Sequence, residues 1–329
     1  MSQAETTRRI GAAREKVALL VEQLGRSFLG HREIVEFLAL AVLCDGHVLL
    51  EGAPGLGKTT LVRALASALE LDFQRIQCTP DLMPGDVLGT RILEEQDGTK
   101  RFVRVPGPVF THLLLADEIN RATPRTQSAL LEAMAERQVT LYGERIELER
   151  PFLVIATQNP IEMEGTYPLP EAQLDRFLVE LQLGAPSEED ILRVLVSTTG
   201  GDGDRTGRAM TRVELLDIQD LVRAVPAPES VLRFAARTVL ATHPQREDSP
   251  AAVRQGLRYG ASPRGAQALV LLAKARALVG GRLHASVDDV AAVAAPALRH
   301  RLVRSYEGEA QGLLPDTLVE MAIAAARPH

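Results

Sequence analysis

With 329 residues, the chain is longer than one compact domain usually runs, and two domains are expected. Hydrophobic residues make up 46% and charged residues 24%, with 4% aromatics and no Trp, so the composition predicts a soluble, helix-rich globular protein with an aliphatic core. A net charge of -6, from 37 Lys and Arg against 43 Asp and Glu, is too mild to imply a nucleic-acid-binding surface, and although a local basic loop could still bind a polyanion, no direct contact with DNA or RNA is expected.

The opening segment MSQAETTRRIGAAREK carries positive charge with no apolar stretch behind it, unlike a signal peptide. Apolar runs such as FLALAVLC (37–44) fall well short of the roughly 18 to 20 residues needed to cross a bilayer. The two cysteines, Cys44 and Cys78, match no metal-ligand spacing and read as small buried thiols in a reducing compartment. A cytoplasmic location is therefore expected.

From Gly46 to Leu183, short apolar segments alternate with helical patterns: HVLLE (47–51), FQRIQC (73–78), HLLLAD (112–117), PFLVIA (151–156) and LVELQL (178–183). That alternation predicts an α/β fold, a parallel sheet covered by helices. Between the first two segments, Leu61, Leu65 and Leu69 form one helical stripe facing the sheet. Two hairpins interrupt the pattern. One, within 86–105, pairs VLGTRIL with RFVRV around Asp97-Gly98; the other, within 138–149, turns around Gly143. After GAPSEED, where Ser187 can cap a helix whose first turn holds Glu188, Glu189 and Asp190, the sequence becomes nearly all helical. The predicted division is thus 1–184, an α/β unit with N-terminal helices, and 185–329, a helical unit. The Gly-rich stretch TTGGDGDRTG (198–207) predicts a mobile loop over about 198–210.

EGAPGLGKTT has the order G-x-x-x-x-G-K-T between a strand and a helix. Gly52, Ala53, Pro54, Gly55, Leu56, Gly57, Lys58, Thr59 and Thr60 then form a loop whose N–H groups point at phosphate oxygens, above the positive end of the next helix. Lys58 reaches the terminal phosphates, and the Thr59 hydroxyl can ligate Mg²⁺. In P-loop enzymes a second apolar strand ends in an Asp that holds Mg²⁺, and Asp117 is placed for that. Glu118 directly after it can polarise a water for attack on a γ-phosphate, a group a mere nucleotide binder does not need. The next strand runs into Thr157, Gln158 and Asn159, where a neutral polar side chain could orient that water, though Asn-Pro also makes a good turn. Arg176 in EAQLDRF and Arg264 in GASPRGAQAL are either ion-pairing surface residues or arginines that stabilise transition-state charge, and such an arginine can come from another subunit.

LLEGAPGLGKT, LLLADEINRA, ATQNP, LPEAQLDRF and ASPRGA together resemble the MoxR family of AAA+ ATPases, in the branch with a hairpin in helix 2 and an insert before sensor two. The likeness runs from about Leu29 to about Leu302. It implies that Gly52 to Thr59 are the Walker A loop, Asp117 and Glu118 the Walker B pair, and Asn159 sensor one. Arg176 matches the arginine finger and Arg264 sensor two, while Gly30 and His31 fall on the adenine-side segment, where the family commonly has Gly-Gln. The resemblance further implies a sheet of order 5-1-4-3-2 with a helical lid, ATP and Mg²⁺ as ligands, and a ring, a hexamer, with nucleotide between subunits. A chaperone-like remodelling role is implied as well, with a partner carrying a von Willebrand factor A (VWA) domain and the hairpins lining the pore or upper face.

Alternatives from other classes are a nucleotide-gated interaction module with little hydrolysis and a magnesium-chelatase-like motor subunit. A small-molecule kinase has no use for Glu118, and GTP is disfavoured because no Asn-Lys-x-Asp guanine-reading motif occurs. The Gly-Ala-Phe-Thr-Gly-Ala loop of enhancer-dependent transcription activators is also missing.

Overall fold

The computed structural model describes residues 3–327 apart from 29, 97–98, 161–164, 185–187, 189–190, 193–194 and 196–205. The Asp97-Gly98 turn, the Ser187 cap with Glu189 and Asp190, and most of the loop expected over 198–210 lie outside these residues. Of that loop, Ala209 and Met210 are buried, and both donate main-chain N–H groups to the Ala68 carbonyl.

Helices α1 (Gln3–Ser27) and α2 (Arg32–Leu43) precede strand β1 (Val48–Gly52), which leads through the phosphate loop into α3 (Lys58–Ala68) and β2 (Phe73–Gln77). A short helix α4 (Pro84–Leu88) opens the first hairpin, β3 (Gly89–Gln96) and β4 (Thr99–Pro106), followed by β5 (Leu113–Asp117) and α5 (Pro124–Glu136). The second hairpin, β6 (Gln138–Leu141) and β7 (Glu144–Glu147), leads to β8 (Leu153–Gln158), the single turn α6 (Glu171–Leu174) and β9 (Val179–Leu183). The five expected sheet strands are all present, within two residues of their expected ends. Only Val87 and Leu88 differ in kind, since Pro84 at a helix start draws them into α4.

The main sheet has the order β2-β5-β8-β1-β9 and every pair in it is parallel, which is 5-1-4-3-2 when the sheet strands are counted along the chain. Successive residues of a strand point to opposite faces, and here both faces are covered. Val48, Leu50, Leu113, Leu115, Ile155 and Leu181 join one core with α1, α2 and α3. Leu49, Leu114, Ala116, Val154 and Ala156 join a second core under α5 and the β6–β7 hairpin. This double burial is why the central strands β5 and β8 read as nearly unbroken apolar runs. Leu61, Leu65 and Leu69 are each 0% exposed, so the stripe faces inward as its spacing predicts.

The C-terminal part is built of α7 (Arg212–Ala224), α8 (Glu229–Ala241), α9 (Ala251–Gly256), α10 (Pro263–Val279), α11 (Val287–Leu298), α12 (Tyr306–Ala310) and α13 (Pro315–Ala326). A small antiparallel pair, β10 (Leu257–Tyr259) and β11 (Val303–Arg304), is its only sheet among the described residues. Thr211 with Glu214 and Ser286 with Asp289 form capping boxes at the starts of α7 and α11. Leu269, Leu272, Val290 and Val293 belong to the same core as α1 and the first sheet face, so apolar packing runs on from sheet to helices.

The two hairpins touch. Tyr142 and Gly143 are the two turn residues between β6 and β7, and both have positive φ, 51° and 85°. That is the backbone of a type I′ turn, unusual for an aromatic at its first position. The Tyr142 hydroxyl lies 3.0 Å from Thr90 Oγ1, the Arg91 guanidinium sits 5.3 Å from the ring centroid, and Arg91 pairs with Glu144 at 2.7 Å. Further out on the first hairpin, Ile92, Leu93 and Phe102 are exposed.

Arg301, whose side chain is 3% exposed, joins the helical part to the sheet. Its Nε donates to Asp175 Oδ1 at 2.8 Å and its Nη2 to the Phe177 carbonyl at 2.7 Å. Because removing one partner strands a buried charge, Arg301→Met should lower unfolding stability by about 3 kcal/mol in denaturant melts. An unchanged midpoint would show that this latch contributes nothing.

Candidate functional site

Gly52 closes β1 against β9 so tightly that a Cβ there would sit 2.9 Å from the Leu183 Cβ. Gly57, at φ 77° just before α3, has the left-handed backbone that turns the loop into the helix. Ala53 and Leu56 are half-buried while Pro54 and Gly55 are open to solvent. Lys58 is held inward, its Nζ donating to the Gly52 carbonyl at 2.6 Å and the Gln158 carbonyl at 3.3 Å. Burial pulls its ammonium below the usual lysine range, against the opposing pull of Asp117, Glu118 and Glu51. Thr59 and Thr60 follow in the first turn of α3, half-buried and exposed respectively. His31 stacks on Phe28 at 5.3 Å between ring centroids, and Phe28 also packs against Gly57, which brings Gly30 and His31 beside the loop.

Asp117 ends β5 inside the sheet, and Glu118 breaks away from it with φ 57° and ψ 52°, a left-handed backbone rare for a non-glycine residue. Both carboxylates are engaged. Asp117 Oδ2 accepts from Arg75 Nη2 at 2.6 Å, and its Oδ1 accepts from the Thr157 hydroxyl, also at 2.6 Å. Glu118 Oε2 accepts from Gln77 Nε2 at 3.1 Å and Arg121 Nη1 at 3.4 Å, while the Glu118 N–H donates to Thr157 Oγ1 at 2.8 Å. The next turn is braced from α5: Gln127, 1% exposed, donates to the Ile119 and Tyr167 carbonyls, and the Asn120 carbonyl accepts from the Tyr167 N–H. Asn159, 5% exposed, follows directly on the Gln158 carbonyl that Lys58 reaches.

Lys58, Asp117 and Glu118 therefore converge, with Asn159 next along the chain from the carbonyl that Lys58 reaches, but the two arginines stand apart from them. Arg176 and Arg264 line a cleft of about 330 Å³ together with Asp45, Arg137, Asp175, Arg223 and Arg301, and no phosphate-loop residue is among the described residues of its wall. Arg176 Nη1 donates to the Leu131 carbonyl at 2.8 Å, whereas Arg264 lies 3.9 Å from Asp175 with its side chain 54% exposed. Arg75 and Gln77 were not foreseen from the sequence. Their alternation in FQRIQC puts them on one strand face, but which carboxylates they meet depends on β2 lying in register beside β5.

The donor chemistry suits a phosphate-bound divalent cation. Thr59 and Asp117 offer hard oxygen ligands, and among the described residues no group of three or more His, Cys, Asp or Glu side chains could cage a metal alone. Mg²⁺ commonly takes one or two protein oxygens and completes its shell with phosphate and water. Cys44 and Cys78 are free and buried as expected, and burial raises both thiols, Cys78 to about 12.

Fold and site define a P-loop ATPase of the AAA+ class with a helical lid. Residues 47–179 match the ATPase family associated with various cellular activities (AAA), and residues 250–320 match the AAA lid domain. Among relatives, Chaperone MoxR1 of Mycobacterium tuberculosis is 39% identical over 92% of this chain and 79% of its own, and Protein MoxR of Paracoccus denitrificans is 36% identical over 90% and 91%. YeaC of Bacillus subtilis is 41% identical over 93% of each chain. The crystal structure of a candidate ATPase from Cytophaga hutchinsonii superposes with a TM-score of 0.89 at 37% identity, covering 97% of this chain and 96% of that one. The chain belongs to the MoxR family of AAA+ ATPases.

Beside the phosphate loop, Glu180 of β9 is 8% exposed, and Gln182 Nε2 bridges it to Glu51 at 3.0 and 3.1 Å. Burial first, and then the Glu51 carboxyl, push the Glu180 carboxyl up from 4.5 to about 8. The folded chain thus holds this proton more tightly than the unfolded chain. Its stabilising effect is complete below about 4.5 and is lost as pH rises through about 8. Glu180→Gln should therefore match the parent protein's melting temperature in acid and exceed it increasingly towards pH 8.5; a gap that shrinks with pH would overturn this assignment.

Proposed function

We propose that this chain is an ATP-hydrolysing subunit of a homo-oligomeric ring, a hexamer, that remodels or matures client proteins in the cytoplasm. Residues 1–184 form its nucleotide-binding unit and 185–329 its lid. The observation that carries the reading is the separation of the chain's candidate groups into two places. The phosphate loop, Asp117, Glu118 and Asn159 make one half of a hydrolytic site, and the cleft with Arg176 and Arg264 makes the other. A subunit so divided completes a site only against a neighbouring copy.

In this reading the loop N–H groups and Lys58 hold the terminal phosphates, Gly30 and His31 flank the base, and Thr59 and Asp117 hold Mg²⁺. Mg²⁺ bound there would supply positive charge to offset that of the phosphates. Glu118 takes the proton from the attacking water, and Asn159 orients that water. Arg176 and Arg264 of the adjacent subunit stabilise charge on the transferring phosphoryl group, a contribution worth about 10³ to 10⁵ in rate where it has been measured in other NTPases. The chaperone role is supported by the name of the M. tuberculosis relative, and a VWA-domain partner is proposed from the family resemblance alone. The joined hairpins, with their exposed Leu93 and Phe102, are the proposed contact for clients.

Glu118→Gln should abolish phosphate release while ATP stays bound and the ring stays assembled; turnover at the parent rate would remove Glu118 from this role. Mixing Arg176→Ala subunits with Lys58→Ala subunits, each inactive alone, should restore part of the activity, because some interfaces then pair an intact loop with an intact arginine. No recovery at any mixing ratio would place Arg176 in the same subunit's site.

A further inference from the structure

We infer that Thr157 is a positioning residue for hydrolysis, setting both members of the carboxylate pair through one hydroxyl. The inference rests on the proposed roles of Asp117 and Glu118.

Thr157 is 0% exposed in β8, where the preceding pair Ala116–Ala156 puts it level with Asp117 on the neighbouring strand. A hydroxyl has one proton to give and two lone pairs to receive with. Here the Glu118 N–H, 2.8 Å away, occupies one lone pair, and Asp117 Oδ1, 2.6 Å away, accepts the proton. The two contacts fix each other's direction, since an ionised carboxylate can only accept and a main-chain N–H can only donate.

Each contact controls something that hydrolysis depends on. Asp117 is gripped from one side by Arg75 at Oδ2 and from the other by Thr157 at Oδ1, so its carboxylate plane cannot swing about χ2. Glu118 leaves the sheet at φ 57°, which takes its N–H out of the strand ladder. Thr157 gives that buried donor its acceptor and thereby holds a backbone conformation that would otherwise relax towards negative φ. The side chain of Glu118 is aimed by that backbone. A hydroxyl at 157 is needed for both effects, whereas a β-branched shape alone would serve strand packing equally well.

Thr157→Val keeps the shape and removes the hydroxyl, and Thr157→Ser keeps the hydroxyl and removes the methyl. The expected result is a fall in kcat on the order of 10²-fold for Thr157→Val with the KM for ATP changed less than about threefold, and near-parent kcat for Thr157→Ser, as for a misplaced but still present catalytic group. Binding of a fluorescent ATP analogue gives a readout apart from turnover. In the parent protein, added Mg²⁺ should tighten binding, and in Thr157→Val that increment should shrink while Mg²⁺-free binding is retained. Thr157→Ala serves as a second hydroxyl-free variant should Thr157→Val fail to fold. Parent-like kcat in a folded hydroxyl-free variant would overturn the inference, as would equal losses in the Val and Ser variants, which would assign the effect to packing. Glu118→Gln run alongside separates the two levels. If it hydrolyses ATP normally, the reading of the pair itself fails; if it is inactive while Thr157→Val is not, only the role given to Thr157 fails.

Discussion

Two neighbouring carboxylates at the end of a buried strand repel each other and lose hydration, so the surrounding chain has to supply what water no longer does. Around Asp117 and Glu118 that supply comes from three directions. Lys58 approaches from the phosphate loop, Arg75 and Gln77 from β2, and Thr157 from β8. The sheet order is what makes this possible, because β5 lies between β2 and β8, and β8 in turn carries the Gln158 carbonyl to Lys58. Move any one of these strands by a single residue and the side chains that neutralise the pair turn to the other face.

That constraint also organises the two cores. Strands buried on both sides spend nearly all their positions on packing, and polar chemistry is left to their C-terminal ends, where the backbone emerges. Gly52, Asp117, and Gln158 with Asn159 beyond it all stand at such ends. On the first face, the packing that supports them passes through α1 and α3 into the lid helices without a break. The Arg301 latch meets the segment leading into β9 at Asp175 and Phe177, on either side of Arg176, so lid and arginine cleft share one anchor.

The sequence was most informative where one residue type has one physical use. Short apolar segments alternating with helical patterns located the five strands, the stripe of Leu61, Leu65 and Leu69 gave the orientation of α3, and Gly52, Gly57 and Lys58 located the phosphate loop. The strand order came from the family resemblance, since local patterns carry no information about which strands become neighbours. Contacts that depend on register were out of reach for the same reason. Arg75 looks like a solvated strand residue until β2 is placed beside β5, and Thr157 is one of three neutral polar residues at a strand end until its hydroxyl is seen between Asp117 and Glu118. Arg121 of the LLLADEINRA block lies 3.4 Å from Glu118, a contact the sequence alone does not disclose. The placement of Arg264 away from the loop was equally invisible, because it is set by how the lid docks.

The contact between Tyr142 and the base of the first hairpin has a mechanical consequence. At about 3.3 Å per residue, the eight residues of β3 extend about 26 Å from Gly89. Thr90 and Arg91, which hold Tyr142, lie at the near end of that length, so the hairpin is a lever gripped close to its fulcrum. A tilt of about 10° at the grip carries the far end of β3, about 17 Å beyond Arg91, through about 3 Å. The turn that bears Tyr142 is reached from α5, the helix that begins just beyond Glu118 and Arg121. Displacements too small to disturb the packing around the carboxylates would in this way be magnified along the hairpin, past the exposed Leu93 and Phe102 towards its charged far end.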